Sequence, residues 1–133
     1  MKGRASEAVR KLYHTVARGQ EIGFQNLKHG RSAREVHKGI QEFFEREGFK
    51  TGRVKGRMQG FFHGTGHGVG LEIHEGPRVS PVSTDILKAG HVVTVEPGLY
   101  YWSLGGGVRL EDMALLTNNG PRNLTKFEKV LEV

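Results

Sequence analysis

The chain of 133 residues contains no cysteine. That absence excludes a disulfide framework and any thiolate chemistry. No run of about eighteen apolar residues occurs, the length a membrane-spanning helix needs. The N-terminus is charged rather than built like a signal peptide. A soluble cytoplasmic protein with no membrane partner is expected. Aspartate is also scarce: Asp85 and Asp112 are the only two, and no aspartate precedes them.

Several familiar motifs are missing as well. The glycines at 64, 66, 68 and 70 tempt a phosphate-binding reading, but their period is two. A dinucleotide fingerprint would need glycine where His67 or Val69 stands, and the P-loop lysine is absent. His74-Glu75 begins like a zinc-peptidase helix, yet the second histidine position holds Arg78 and Gly76-Pro77 would break the helix. The charge is lopsided. Residues 1–60 carry 14 Lys and Arg against 6 acidic residues, whereas residues 61–133 carry 6 against 8. The basic half could attract nucleic acid. Its cations alternate with apolar positions as a solvated helix face would, and no RNA-type aromatic motif or zinc-finger spacing accompanies them. Nucleic acid is not expected as the partner.

What is present reads as one domain, residues 1–133, long enough for a real core. Ser6 can cap a helix with the apolar stripe Val9, Leu12, Tyr13, Val16, then Ile22 and Leu27. Gly19 and Gly23 predict a kink or break in it, and His29-Gly30 its end. Ser32 to Glu35 is a capping-box pattern opening a second helix that buries Val36, Ile40, Phe43 and Phe44 and ends at Gly48. After Phe49 short β-branched runs take over. Strands are predicted at Val69–Ile73, His91–Val95, Val108–Leu116 and Lys129–Val133. Asn119-Gly120 marks a turn, which Pro121 should loosen beyond a two-residue hairpin. The fold class is therefore α+β: two antiparallel helices packed on a mostly antiparallel sheet.

Three islands carry candidate chemistry: His63-Gly64-Thr65-Gly66-His67-Gly68 with His74-Glu75, then Val95-Glu96-Pro97-Gly98, then Val108-Arg109-Leu110-Glu111-Asp112. Period two puts His63 and His67 on one face of an extended chain, about 13 Å apart, while the glycines let another backbone approach. Glu96 and Glu111 each lie in an apolar run, where a glutamate is seldom found unless it is paired or binds metal. Either alone also reads as a surface charge on an edge strand. One imidazole with two carboxylates suits a hydrolytic divalent metal. Arg109, two residues before Glu111, could orient that carboxylate or a substrate. Tyr100, Tyr101 and Trp102 line the site or pack beneath it. His14, His29, His37 and His91 read as surface residues.

These islands resemble, in order and spacing, the C-terminal part of the catalytic domain of the pita-bread (creatinase/aminopeptidase-like) metallopeptidases. The closest resemblance is to the Xaa-Pro dipeptidase and aminopeptidase P branch, and it covers almost the whole chain. It implies that His67, Glu96 and Glu111 are metal ligands, with Glu111 of the bridging type. It further implies that His63, His74 and Arg109 stand around a proline-containing peptide substrate, and that Glu96 accepts a proton. The family holds two divalent ions (Mn, Co, Zn or Fe) using two further aspartates that come earlier in the chain. That aspartate segment has no counterpart in this sequence. An inactive lone chain is therefore expected, with a binding or assembly module as the alternative. A homodimer through an exposed sheet edge is expected because the family's halves pack against each other.

Overall fold

The computed structural model describes residues 2–133. Two helices, α1 (Glu7–Asn26) and α2 (Ala33–Arg46), precede nine short strands. Ser6 caps α1 by accepting the Val9 backbone N–H at 3.3 Å. Ser32 precedes α2 but makes no such side-chain bond, so the capping box is not formed. Gly48 ends α2 with φ +89°, the left-handed conformation glycine adopts without strain.

The expected break in α1 does not occur. A Cβ on Gly19 would fall 2.5 Å from the Phe44 ring, and one on Gly23 would fall 2.8 Å from Val95 and 3.0 Å from Ile40. These glycines are contact points where α1 meets α2 and the sheet, and tertiary packing overrides their poor helix propensity. Leu12, Val16, Ile40 and Phe44 close the helix pair. Each contributes roughly 2 kcal/mol by leaving water.

The strands are β1 (Gly52–Val54), β2 (Arg57–Gln59), β3 (Gly66–Gly68), β4 (Glu75–Val79), β5 (Val92–Val95), β6 (Gly98–Tyr101), β7 (Gly106–Arg109), β8 (Asp112–Thr117) and β9 (Gly120–Asn123). A five-stranded sheet runs β4-β3-β5-β8-β9, while β1-β2 and β6-β7 form separate two-stranded ribbons. Every strand pair is antiparallel. Leu27, Val36, Val79, Leu87, Val93 and Leu116 fill the core between the helices and the sheet. No helix among the described residues is long and apolar enough to cross a membrane.

One register organises the site. Val95 faces Asp112 across β5 and β8, and Gly98 faces Arg109 across β6 and β7. Both ladders belong to a single long hairpin interrupted at Glu96-Pro97 and Leu110-Glu111. The predicted strand Val108–Leu116 is thus two strands with Glu111 in the gap. Leu110 N–H still reaches Pro97 O, at a long 3.4 Å. Pro97 has no N–H to return, so the ladder cannot close there.

Three other expectations are corrected. Val69–Ile73 lies outside any strand: Val69 still donates to Val92 O on β5 at 3.0 Å, but beyond it Leu71 is fully exposed and Ile73 75% exposed. Lys129–Val133 forms no strand; it lies along the start of α1, where Gly3 N–H donates to Val133 O at 3.0 Å and Ala5 N–H to Glu132 Oε1 at 2.8 Å. Thr117 pairs directly with Gly120, so the β8–β9 turn is a tight two-residue loop, Asn118-Asn119. Pro121 is tolerated because β9 is an edge strand.

Candidate metal centre

His67 sits in the middle of β3, held there by close backbone approach on both sides. A Cβ on Gly66 would lie 1.9 Å from Thr94 O, and one on Gly68 2.0 Å from Gly76 O. The alternating glycines therefore do what their period implies: they let β4 and β5 press against this strand. The His67 backbone N–H donates to Thr94 Oγ1 at 3.0 Å, and that hydroxyl donates to Glu96 Oε1 at 3.1 Å. Thr94 so ties the histidine strand to the glutamate.

Glu96, only 6% exposed, follows β5 at the hairpin gap. Its Oε1 lies 3.2 Å from His67 Nε2, and its Oε2 forms an ion pair with Arg109 Nη2 at 2.7 Å. The neighbouring Tyr100 hydroxyl and the Glu96 charge raise the Arg109 pKa above the ordinary arginine value. His63 turns Nδ1 to Gly64 O at 2.7 Å, while its buried Nε2 has no partner among the described residues. Burial pushes its pKa down, and the Arg109 charge acts in the same direction. A neutral ring with Nδ1–H donating would leave Nε2 as a free acceptor. His74 is exposed and packs its ring against His67, with centroids 4.4 Å apart.

His63, His67, Glu96 and Arg109 line one open cleft of about 540 Å³. Glu111 does not join them. It is exposed and borders a smaller cavity of about 250 Å³ beside Asp112 and Lys129. Among the described residues, no three His, Asp or Glu side chains converge to hold an ion. The donor types suit a divalent metal, but only His67 and Glu96 lie together. His67 and Glu96 are neighbours, and Glu111 stands in register with Glu96 one step beyond the Val95–Asp112 pair. Tyr100 meets His63 edge-on, with centroids 5.5 Å apart, so it borders the site; Trp102 lies against Arg57.

Two supporting residues escaped sequence reasoning. His37 is not at the surface: it is 4% exposed, bonded to Thr65 Oγ1 at 3.1 Å and stacked on Phe61. Burial, with a smaller push from His63, lowers its pKa to about 4. Thr65 in turn accepts the Glu96 backbone N–H through its carbonyl at 2.7 Å. His37 falls on the same stripe of α2 as Val36, Ile40 and Phe44, the one signal that could have placed it inside.

Comparison with known proteins bears on this arrangement. The model of metallopeptidase family M24 matches residues 1–118. An Xaa-Pro dipeptidase of Pyrococcus furiosus is 40% identical over 129 residues, which is 97% of this chain and 34% of the relative. Among solved structures, an Xaa-Pro dipeptidase from Bacillus anthracis superposes with a TM-score of 0.86 at 36% identity, covering 98% of this chain and 35% of the other. An X-Pro aminopeptidase from Thermotoga maritima gives 0.84 at 32%, covering 98% and 35%. The chain spans about a third of the length of these relatives. Its fold is the two-helix, antiparallel-sheet C-terminal part of the pita-bread architecture, and the chain belongs to metallopeptidase family M24.

Proposed function

We propose that this chain carries the histidine and glutamate portion of a metallopeptidase site that cleaves the bond between an N-terminal residue and proline. The observation that carries this reading is the buried Glu96 carboxylate, held between His67 and Arg109 at the wall of an open cleft. His67, Glu96 and Glu111 would hold two divalent ions (Mn, Co, Zn or Fe), with the remaining ligands coming from an aspartate-bearing segment outside these 133 residues. When bound, such ions supply water activated for attack at neutral pH.

The chain's own groups supply the rest. Arg109 fixes one Glu96 oxygen and leaves the other directed at His67. Glu96 is then placed to accept a proton at Oε1. His63 offers Nε2 to a substrate donor, and His74 stands at the rim beside His67, where a near-neutral imidazole can bond a reacting oxygen. Supplying the upstream segment of the P. furiosus relative, joined or in trans, should restore Mn²⁺-dependent cleavage of an Ala-Pro dipeptide. Restored cleavage that survives His67→Ala would count against these assignments.

A second reading has its own observation. Leu71 and Ile73 project into solvent from the loop between β3 and β4, and β4 is an unpaired sheet edge. Exposed apolar side chains beside a free edge favour self-association. A homodimer through this edge is the closed arrangement. Sedimentation over a concentration series separates this from a monomer, and Leu71→Asp should weaken any dimer.

A further inference from the structure

The hairpin gap leaves a specific debt of hydrogen bonding. In the antiparallel register Pro97 and Leu110 are a hydrogen-bonded pair, because Leu110 N–H donates to Pro97 O. A residue with an N–H at position 97 would donate back to Leu110 O. Proline cannot, so that carbonyl needs another donor within a packed interior. It finds one on the helix. Gln20, only 4% exposed on α1, donates its side-chain amide to Leu110 O at 3.1 Å and to Val95 O at 2.9 Å. One NH₂ group has two hydrogens, and both are used.

The two carbonyls are not arbitrary. Val95 immediately precedes Glu96, and Leu110 immediately precedes Glu111. A single side-chain amide therefore bridges the two backbones at the peptide units that carry both glutamates, beside the rung that Pro97 leaves half made. We propose that Gln20 is a positioning residue that sets how the Glu96 and Glu111 carboxylates stand relative to one another. The claim rests on the metal-centre reading for its functional meaning, and on the hydrogen bonds alone for its geometry. Gln20 touches neither cleft nor substrate; it acts through the backbone. Its neighbour Gly19 keeps α1 close to Phe44, and Gly23 one turn later keeps it close to Val95, so the amide is delivered at fixed range.

The test uses the whole chain in solution by NMR. In the wild type, scalar couplings across the hydrogen bonds should link the Gln20 side-chain nitrogen to the carbonyl carbons of both Val95 and Leu110. Gln20→Met keeps volume and removes both donors, so the side-chain carboxyl signals of Glu96 and Glu111 should move well beyond the linewidth. Val16→Ala, a cavity on the same helix, serves as the control for simple loss of stability and should leave those signals in place. Where Gln20→Met does not fold, Gln20→Asn, one methylene short, should show the same displacement. Absent couplings in the wild type, or equal displacement in Val16→Ala, would overturn the proposal. Failure of the proposed function is distinct: a wild-type chain with these couplings that never yields peptidase with the upstream segment refutes the peptidase and leaves Gln20's bridging role standing.

Discussion

Glu96 and Glu111 face each other across the same hairpin gap, yet the structure treats them oppositely. Glu96 is buried with Thr94, His67 and Arg109 on its two oxygens. Glu111 is exposed at the edge of a different cavity. The backbone register places both, but among the described residues only Glu96 is held by side-chain hydrogen bonds or ion pairs, Glu111 feeling only the more distant Arg109 charge. The lesson is that this portion of the fold fully organises one carboxylate and presents the other.

The comparison breaks most severely if the backbone approach behind His67 is lost. Gly66→Val would push a side chain into Thr94 O, parting β3 from β5 and costing about 4 kcal/mol or more. Urea unfolding against wild type measures this; a change under about 1 kcal/mol would mean that the close approach is not structural.

The next largest effect concerns pH and the buried end of the same scaffold. His37 takes up a proton near its ordinary value of 6.5 when unfolded but only near 4 when folded. The fold therefore disfavours the charged ring. Stability from this group is fully present above about pH 6.5, declines as pH falls toward 4, and levels off below; the loss is on the order of 3 kcal/mol. His63, also held low by burial, tilts the curve the same way. Stability measured across this window should fall less steeply in His37→Phe than in wild type. Equal slopes would show that His37 does not titrate as its burial implies.

How far could such features be read in advance? The helix pair, the antiparallel sheet and the three chemical islands follow from periodicity, caps and motif order, because those signals are local. The failures were non-local. Gly19 and Gly23 look like helix breakers until Phe44 and Val95 are seen against them. His37 looks like any surface histidine until Thr65 is seen beside it. Pro97 in a strand announces an orphaned carbonyl on its partner, but nothing in the sequence says that Gln20, far earlier in the chain, will meet it. The run at Val69–Ile73 alternates as a strand should, yet only Val69 bonds a neighbouring strand, through Val92 O at 3.0 Å, and the rest of the run is a loop.

Smaller effects sharpen the contrast between the glutamates. Arg109→Met frees one oxygen of Glu96; because Arg109 is nearly half exposed, the stability cost should stay near 1 kcal/mol or less. The Glu96 carboxyl signal should nevertheless move in NMR. Glu111→Gln should be smaller still, within about 0.5 kcal/mol of wild type, as expected for an exposed side chain. A larger loss would place Glu111 in the packed structure and erase the distinction.

The central proposal is that this chain holds one organised part of a metallopeptidase site, whose remaining donors come from another segment. Mn²⁺ titration of the lone chain by calorimetry tests it most directly. The account expects weak binding or none. Two tight sites per chain, abolished by Glu111→Gln, would contradict it.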